Sequence, residues 1–227
     1  MTNATNDSGQ TAQIFATLAD EAWQQLGSRP LADLTVAEIA AHVDVDASLA
    51  VAVAGGPQQL VLGKMAALDD LAVLESFADI EDAGAVSTRE KILEALMHRF
   101  EVYAPYRTQI RALNRATRGR PDLALALGLG LQSVTRRMLA MAGDDCDGWR
   151  GLLRIKGVAG VVLVVARVWM DDDSPDLAPT MKELDRRLQQ AEEWAVSLRL
   201  FQQLHGRETQ TARQDDITAG RYRVDND

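Results

Sequence analysis

Leu34-Thr35-Val36-Ala37-Glu38-Ile39-Ala40-Ala41-His42-Val43-Asp44-Val45-Asp46-Ala47-Ser48-Leu49 is the stretch on which the reading of this fold turns. Thr35 with Glu38 three residues on has the spacing of a capping box and starts one short helix. Asp46 supplies the N-cap of a second. Two short helices joined by a turn make a helix-turn-helix. Yet from Arg29 to Lys64 the chain has no lysine or arginine between them; the charged residues are Asp33, Glu38, Asp44 and Asp46. A DNA reader sets cations against phosphates, and these supply most non-specific affinity. The scaffold predicts a nucleic-acid reader, and its surface chemistry opposes one.

The whole chain leans the same way. Its 227 residues carry a formal net charge of -9 and a pI of about 4.9, which repels nucleic acid and anionic lipid. Residues 1–70 hold two bases, Arg29 and Lys64, against nine acids. The length fits one sizeable domain, or a small one joined to a larger one. A lone Cys146 forms no internal disulfide and fits a reducing compartment. The polar start, Met1 to Gln10, does not read as a signal peptide. The longest apolar run, Gly157 to Ala166, is short of the ~20 residues of a membrane span. The expectation is a soluble, cytoplasmic protein with no membrane span.

Ala, Leu, Glu, Gln and Arg dominate and no stretch alternates like a strand, so the predicted class is all-α. Helices are expected over 11–26, 35–42, 46–54, 57–80, 88–103, 106–118, 121–142, 148–171 and 176–205, with Ser87 capping the helix that carries Glu90. The ends 1–10 and 206–227 read as frayed. The expected division is a degenerate, homeodomain-like helix-turn-helix unit at 1–56, a helical ligand-binding and dimerisation domain at 57–205, and a polar tail at 206–227.

Two helices invite a partner. Leu177, Met181, Leu184, Leu188, Ala191, Ala195 and Leu198 keep a 4-3-4-3 spacing, the seam of a helix pair. The preceding helix is apolar all round over 158–166, which predicts burial on every side. Val161, Val165, Leu184, Leu188, Ala191 and Ala195 are therefore the expected contacts of a homodimer through the last two helices.

This organisation resembles the TetR family of bacterial regulators. The residues that carry the resemblance are Ile14, Phe15, Ala16 and Trp23, then Gly27, then Leu34-Thr35-Val36-Ala37-Glu38-Ile39-Ala40, with Val43 and Val45 at the turn. Trp169-Met170-Asp171-Asp172-Asp173 followed by an amphipathic helix is similar to the family's end pattern. The departures fall on the recognition helix, Ala47-Ser48-Leu49-Ala50-Val51-Ala52-Val53-Ala54. Val51 stands where the family has Tyr, Val53-Ala54 where it has a His-Phe pair, and Pro57 where many members have Lys. In this the chain looks more like a divergent branch with the TetR fold, the ubiquinone-biosynthesis lipid-binding proteins. Val45-Asp46 with Gly55-Gly56 and Leu60-Val61, Ala104-Pro105-Tyr106-Arg107, Asp147-Gly148-Trp149 leading into Leu153-Arg154-Ile155-Lys156, and Leu184-Asp185-Arg186-Arg187-Leu188 carry that likeness. The resemblance implies about nine helices, a fold that has lost DNA reading, and an apolar pocket.

No catalytic constellation stands out, and no enzyme, cofactor or metal is expected. Asp172-Asp173-Ser174-Pro175-Asp176 matches the Asp-Asp-x-x-Asp pattern of isoprenyl diphosphate synthases, but those enzymes need two such clusters to hold magnesium. It reads as an inter-helix loop with Ser174 or Asp176 capping the next helix. His42, His98 and His205 lie far apart and lack i, i+4 partners, so no zinc site follows. Cys146 among Asp144, Asp145 and Asp147 is a poor nucleophile. Gly128 and Gly130 interrupt an apolar helix at about 1 kcal/mol each relative to Ala. A close helix contact or room for a ligand would offset that. The candidate lining of an apolar pocket is Met97, Phe100, Tyr103, Leu127, Gly128, Leu131, Met138 and Trp149. Arg107, Arg111, Arg115 and Arg118 share a helix face, with Arg120 just beyond it. It reads as a solvated face or as a dock for an acidic protein or lipid headgroup at Arg107, Arg111 and Arg115.

Two functions compete. The first is a TetR-fold protein binding an apolar ligand, a lipid or isoprenoid, without DNA reading and in support of quinone or lipid metabolism. The alternative is a ligand-responsive TetR-type repressor that binds operator DNA as a dimer through Thr35, Ala47, Ser48 and Lys64, with Arg29 or the tail residues Arg213, Arg221 and Arg223 adding charge.

Overall fold

Short helices begin where a side chain accepts the free N–H groups of a first turn. Thr35 Oγ1 accepts from the Glu38 amide at 3.2 Å, Asp46 Oδ1 from the amides of Ser48 and Leu49 at 2.9 and 3.0 Å, and at Ser87 and Glu90 both halves of a capping box form. The computed structural model describes residues 3–82, 86–144 and 146–193. They form α1 (Asn3–Leu26), α2 (Val36–His42), α3 (Ala47–Ala54), α4 (Pro57–Asp82), α5 (Thr88–Tyr103), α6 (Arg107–Ala116), α7 (Pro121–Met141) and α8 (Gly148–Trp169). A further helical stretch covers 178–193. The described residues contain no strand, so the fold is all-α as expected. No helix among them is long and apolar enough to cross a membrane.

Several helix boundaries differ from the expected ones by one or two residues, and three differences bear on the architecture. The first helix starts at Asn3 rather than Thr11, because propagating a packed helix adds one hydrogen bond per residue fixed. The helix expected over 106–118 is shorter and flanked by 3-10 turns at Ala104–Tyr106 and Thr117–Gly119. The last helix begins at 178, after Leu177 takes a positive φ of 48°. The tail and the segment 194–205 lie outside the described residues.

α4 is the helix on which the others are arranged. It packs on α1, where Gly63 meets the ring of Phe15 and a Cβ would run into it. It runs antiparallel to α5, since Tyr103 reaches Met65, Arg99 reaches Asp69 and His98 reaches Asp79. It runs in the same direction as α7, since Arg120, just before α7, bonds Gln58 and Arg137 bonds Asp70. Trp23 of α1 meets Tyr106 edge-on, with centroids 5.9 Å apart. Phe100 of α5 lies 5.7 Å from Trp169 of α8, whose indole N–H donates to the Phe100 carbonyl at 3.2 Å.

Two buried carboxylates lock these helices. Asp69 accepts from Arg99 Nε at 2.8 Å and from the Tyr103 hydroxyl at 3.0 Å, while the guanidinium lies over the Tyr103 ring at 4.7 Å. Burial alone would lower the Arg99 pKa, but the Asp69 carboxylate outweighs it and holds the group above its ordinary value. Burial pushes the Tyr103 hydroxyl well up. Asp172 accepts from the amides of Ser174 and Thr180 at 3.1 and 3.0 Å and from both their hydroxyls at 2.5 Å. Burial raises its carboxyl, but these bonds outweigh burial and hold it at about 2.

Asp69→Ala leaves the Arg99 guanidinium buried without its acid and is expected to cost about 3–5 kcal/mol in urea unfolding. Asp172→Asn is expected to cost about 1–3 kcal/mol near neutral pH. Because the folded pKa lies below the ordinary 3.8, the native carboxylate's contribution is complete above that value and is lost as pH falls through about 2. Wild type and Asp172→Asn should therefore converge in stability on acidification; a constant gap between them would contradict the assignment.

Candidate functional site

In the head, α2, its turn and α3 stack against α1. The turn closes when the amides of Val43 and Val45 both bond the Ala40 carbonyl, with Asp44 between them at φ 53°. Ala50 and Ala54 face inward and are small enough to bring α3 close to its neighbours. The outward residues are Ala47, Ser48, Leu49, Val51 and Ala52. A helix N-terminus can hold a phosphate on its free amides, but at α3 the Asp46 carboxylate already takes those of Ser48 and Leu49.

Of the residues assigned to DNA under the alternative, Ala47 and Ser48 are exposed, and Thr35 gives its hydroxyl to Glu38 Oε2 at 3.1 Å. Lys64 is bound to Asp20 at 2.6 Å. Arg29 donates to the Asp33 carbonyl at 2.8 Å and to Glu38 at 3.3 Å. Both nearby cations are engaged by acids of the head itself.

The proposed pocket residues divide. Met97, Phe100, Tyr103, Leu131 and Met138 are buried members of the core. Leu127 and Gly128 are half-buried at its margin. Trp149 does not join them: it stands 57% exposed on α8, with Arg150 over its ring. Tyr103 is held by the Asp69 network rather than facing a ligand space. Gly128 and Gly130 make no close helix contact, since a Cβ at either would meet nothing within 4 Å. Leu125 and Leu129 beside them are exposed. The Thr135 hydroxyl, on the buried face of α7, has no hydrogen-bond partner among the described residues.

α8 is not buried all round. Ile155, Val158, Val162 and Val165 face the core, and Trp149, Leu152, Leu153 and Leu163 face solvent. Between the exposed residues, Gly157 and Gly160 open onto empty space. Among the expected dimer contacts, Val165, Leu184 and Leu188 pack in the chain's own core. Val161 and Ala191 are half-buried, and Ala195 lies outside the described residues. The 4-3 spacing that marked a seam is therefore used largely inside the chain, with Met181 left exposed.

The arginine face is partly neutralised by the loop after α8. Arg107 pairs with Asp173 at 3.4 Å and lies over the Trp169 ring. Arg111 pairs with Asp171 at 3.5 Å and bonds the Met170 carbonyl. Arg115 and Arg118 remain exposed. In the acidic loop itself Asp176 does accept from the Ala178 amide at 3.3 Å. Ser174, however, donates to Asp172, and it is Asp172 that holds Thr180.

One cluster went unread in the sequence. Asp79 of α4 and Glu94 and His98 of α5 bring their donor atoms within 4.8 Å of one another. His98 does have an i, i+4 partner, Glu94, contrary to the sequence expectation, and Asp79 arrives through the antiparallel packing of α4. No protein-family model matches the chain, and no curated protein matches it either.

Met138→Ala, at a position 1% exposed, is expected to cost about 2–5 kcal/mol. Leu129→Ala, on the open side of the same helix, should stay within about 0.5 kcal/mol. Thr135→Val should be neutral or stabilising in denaturant titration, because it removes an unsatisfied buried hydroxyl while keeping the shape. A clear loss on Thr135→Val would show that the hydroxyl has a partner.

Proposed function

We propose that this chain is a non-catalytic helical protein that binds an apolar ligand of the lipid or isoprenoid class, on a TetR-like scaffold that has given up DNA reading. The observation that carries the reading is the solvent face of α3. It presents Ala47, Ser48, Leu49, Val51 and Ala52, its N-terminal amides are capped by Asp46, and Arg29 and Lys64 are held by Glu38 and Asp20. Such a face offers no cation to a phosphate and little to a base edge beyond one hydroxyl.

The positive half rests on apolar surface left open. Leu125 and Leu129 are exposed beside Gly128 and Gly130 on α7, and Trp149, Leu152, Leu153 and Leu163 are exposed on α8. Several large apolar side chains exposed on one helix are the kind of surface that serves as an interaction site. The α8 face is the part we assign to a homodimer, in place of the inward-facing Val165, Leu184 and Leu188. The α7 side, next to the half-buried Leu127 and Gly128, is assigned to the ligand.

Native mass spectrometry of the purified chain, followed by organic extraction, tests both halves. The expected result is a dimer that retains a lipid or isoprenoid, and no retardation of its own upstream DNA at low salt. An empty protein that retards this DNA, with a steep loss of retention as salt rises, would replace this reading with the repressor. Leu163→Asp should convert the dimer to monomer in light scattering while leaving helical content unchanged; an intact dimer would place the interface elsewhere.

A further inference from the structure

We propose that Asp79, Glu94 and His98 form a binding site for a first-row divalent cation of the zinc type, clasping the end of α4 to α5. His98 Nε2 lies 2.6 Å from Asp79 Oδ2 and 3.9 Å from Glu94 Oε1, and all three donor atoms lie within 4.8 Å of one another. A tetrahedral zinc with Zn–N and Zn–O bonds of about 2.0–2.2 Å sets its ligand atoms roughly 3.3–3.6 Å apart. The two measured separations bracket that spacing, so a small rotation about the side-chain torsions of Asp79 and Glu94 brings the set to it. Both carboxylates are exposed enough to make that adjustment, and the imidazole, 19% exposed, is the fixed member.

The donor chemistry selects the class of ion. Imidazole suits zinc, copper, iron and nickel, whereas magnesium and calcium prefer an all-oxygen shell. The remaining positions are open to water, as three protein ligands leave at least one free. Glu101 Oε2 stands 3.7 Å from the other ring nitrogen, Nδ1. That is beyond hydrogen-bond length, but a small rotation of the Glu101 side chain would bring its carboxylate onto Nδ1, the usual support for a metal-bound histidine. Charge points the same way. The acids Asp20, Asp69 and Asp70 are each met by a lysine or arginine, while here three carboxylates converge on one imidazole. In the metal-free protein His98 Nε2 and Asp79 Oδ2 are in direct contact at 2.6 Å, a contact that the ion would replace.

The test is isothermal titration of the full, untagged, chelator-treated chain with zinc chloride and, separately, magnesium chloride. One saturable zinc site per chain is expected, with magnesium at least tenfold weaker. His98→Ala and Asp79→Asn should each weaken zinc at least tenfold, and His42→Ala should leave it unchanged. Glu94→Gln removes one carboxylate charge and should weaken zinc while circular dichroism stays native, which keeps the test open if His98→Ala fails to fold. Cobalt absorption adds an independent readout: a bound-ion spectrum present in wild type and lost in Glu94→Gln is the expected result. Absence of a stoichiometric zinc site, equal affinity for magnesium, or zinc binding untouched by Glu94→Gln and Asp79→Asn would overturn the assignment.

Discussion

A carboxylate buried between helices constrains everything around it, because it is stable there only with its cation and its hydrogen bonds in place. Asp69, 8% exposed, is that group. Its bonds to Arg99 and Tyr103 fix how α4 is rotated about its own axis. With Asp69 turned to α5, the next residue lies about 100° round, and Asp70 meets Arg137 of α7. On the same helix Gly63 admits the Phe15 ring of α1. One helix is thus shared by the helix-turn-helix head and the larger body, and the ring of Tyr103 is drawn from a candidate pocket wall into a structural network.

The elements governed by local chemistry were legible in the sequence. Thr35, Asp46 and Ser87 were each recognisable as caps, since a cap needs only a side chain and amides two or three residues away. The lack of cations over 30–63 was equally plain. What required tertiary structure was the pairing of residues far apart in the chain. Arg99 and Asp69 are 30 positions apart, and nothing in either local pattern announces the other. Asp172 shows the same limit: a cluster of acids that reads as an inter-helix loop contains one member turned inward to hold Thr180.

Periodicity was the least reliable guide to outward faces. A 4-3 spacing states that residues share a face, not what covers it. Leu184 and Leu188 share a face, and that face meets the chain's own core. An apolar run states nothing about direction at all. On α8 it divides into an inner side with Val158, Val162 and Val165 and an outer side with Leu152, Leu153 and Leu163. The pocket residues failed to gather for a related reason. Trp149 is the second residue of α8, near Gly151, whose missing Cβ lets the Cys146 backbone pass close by, and its azimuth on that helix carries it to solvent.

Glycine inside a helix carries a cost of about 1 kcal/mol relative to alanine, so its place in the fold is informative. At Gly63 and Gly151 the compensation is inside the chain, as close contacts to Phe15 and to the Cys146 backbone. At Gly128, Gly130, Gly157 and Gly160 a Cβ would meet nothing within 4 Å. These four lie beside exposed Leu125, Leu129, Leu153 and Leu163, where alanine would fit the chain without strain. Internal packing therefore gives no reason for glycine there. A ligand or second copy approaching those backbones, as proposed, would supply one and would cover the neighbouring leucines. The head has Arg29 and Lys64 held by acids and its α3 amides capped, while α7 and α8 carry the exposed Leu125, Leu129, Leu152, Leu153 and Leu163, which is why the proposed ligand and dimer contacts are assigned to those helices.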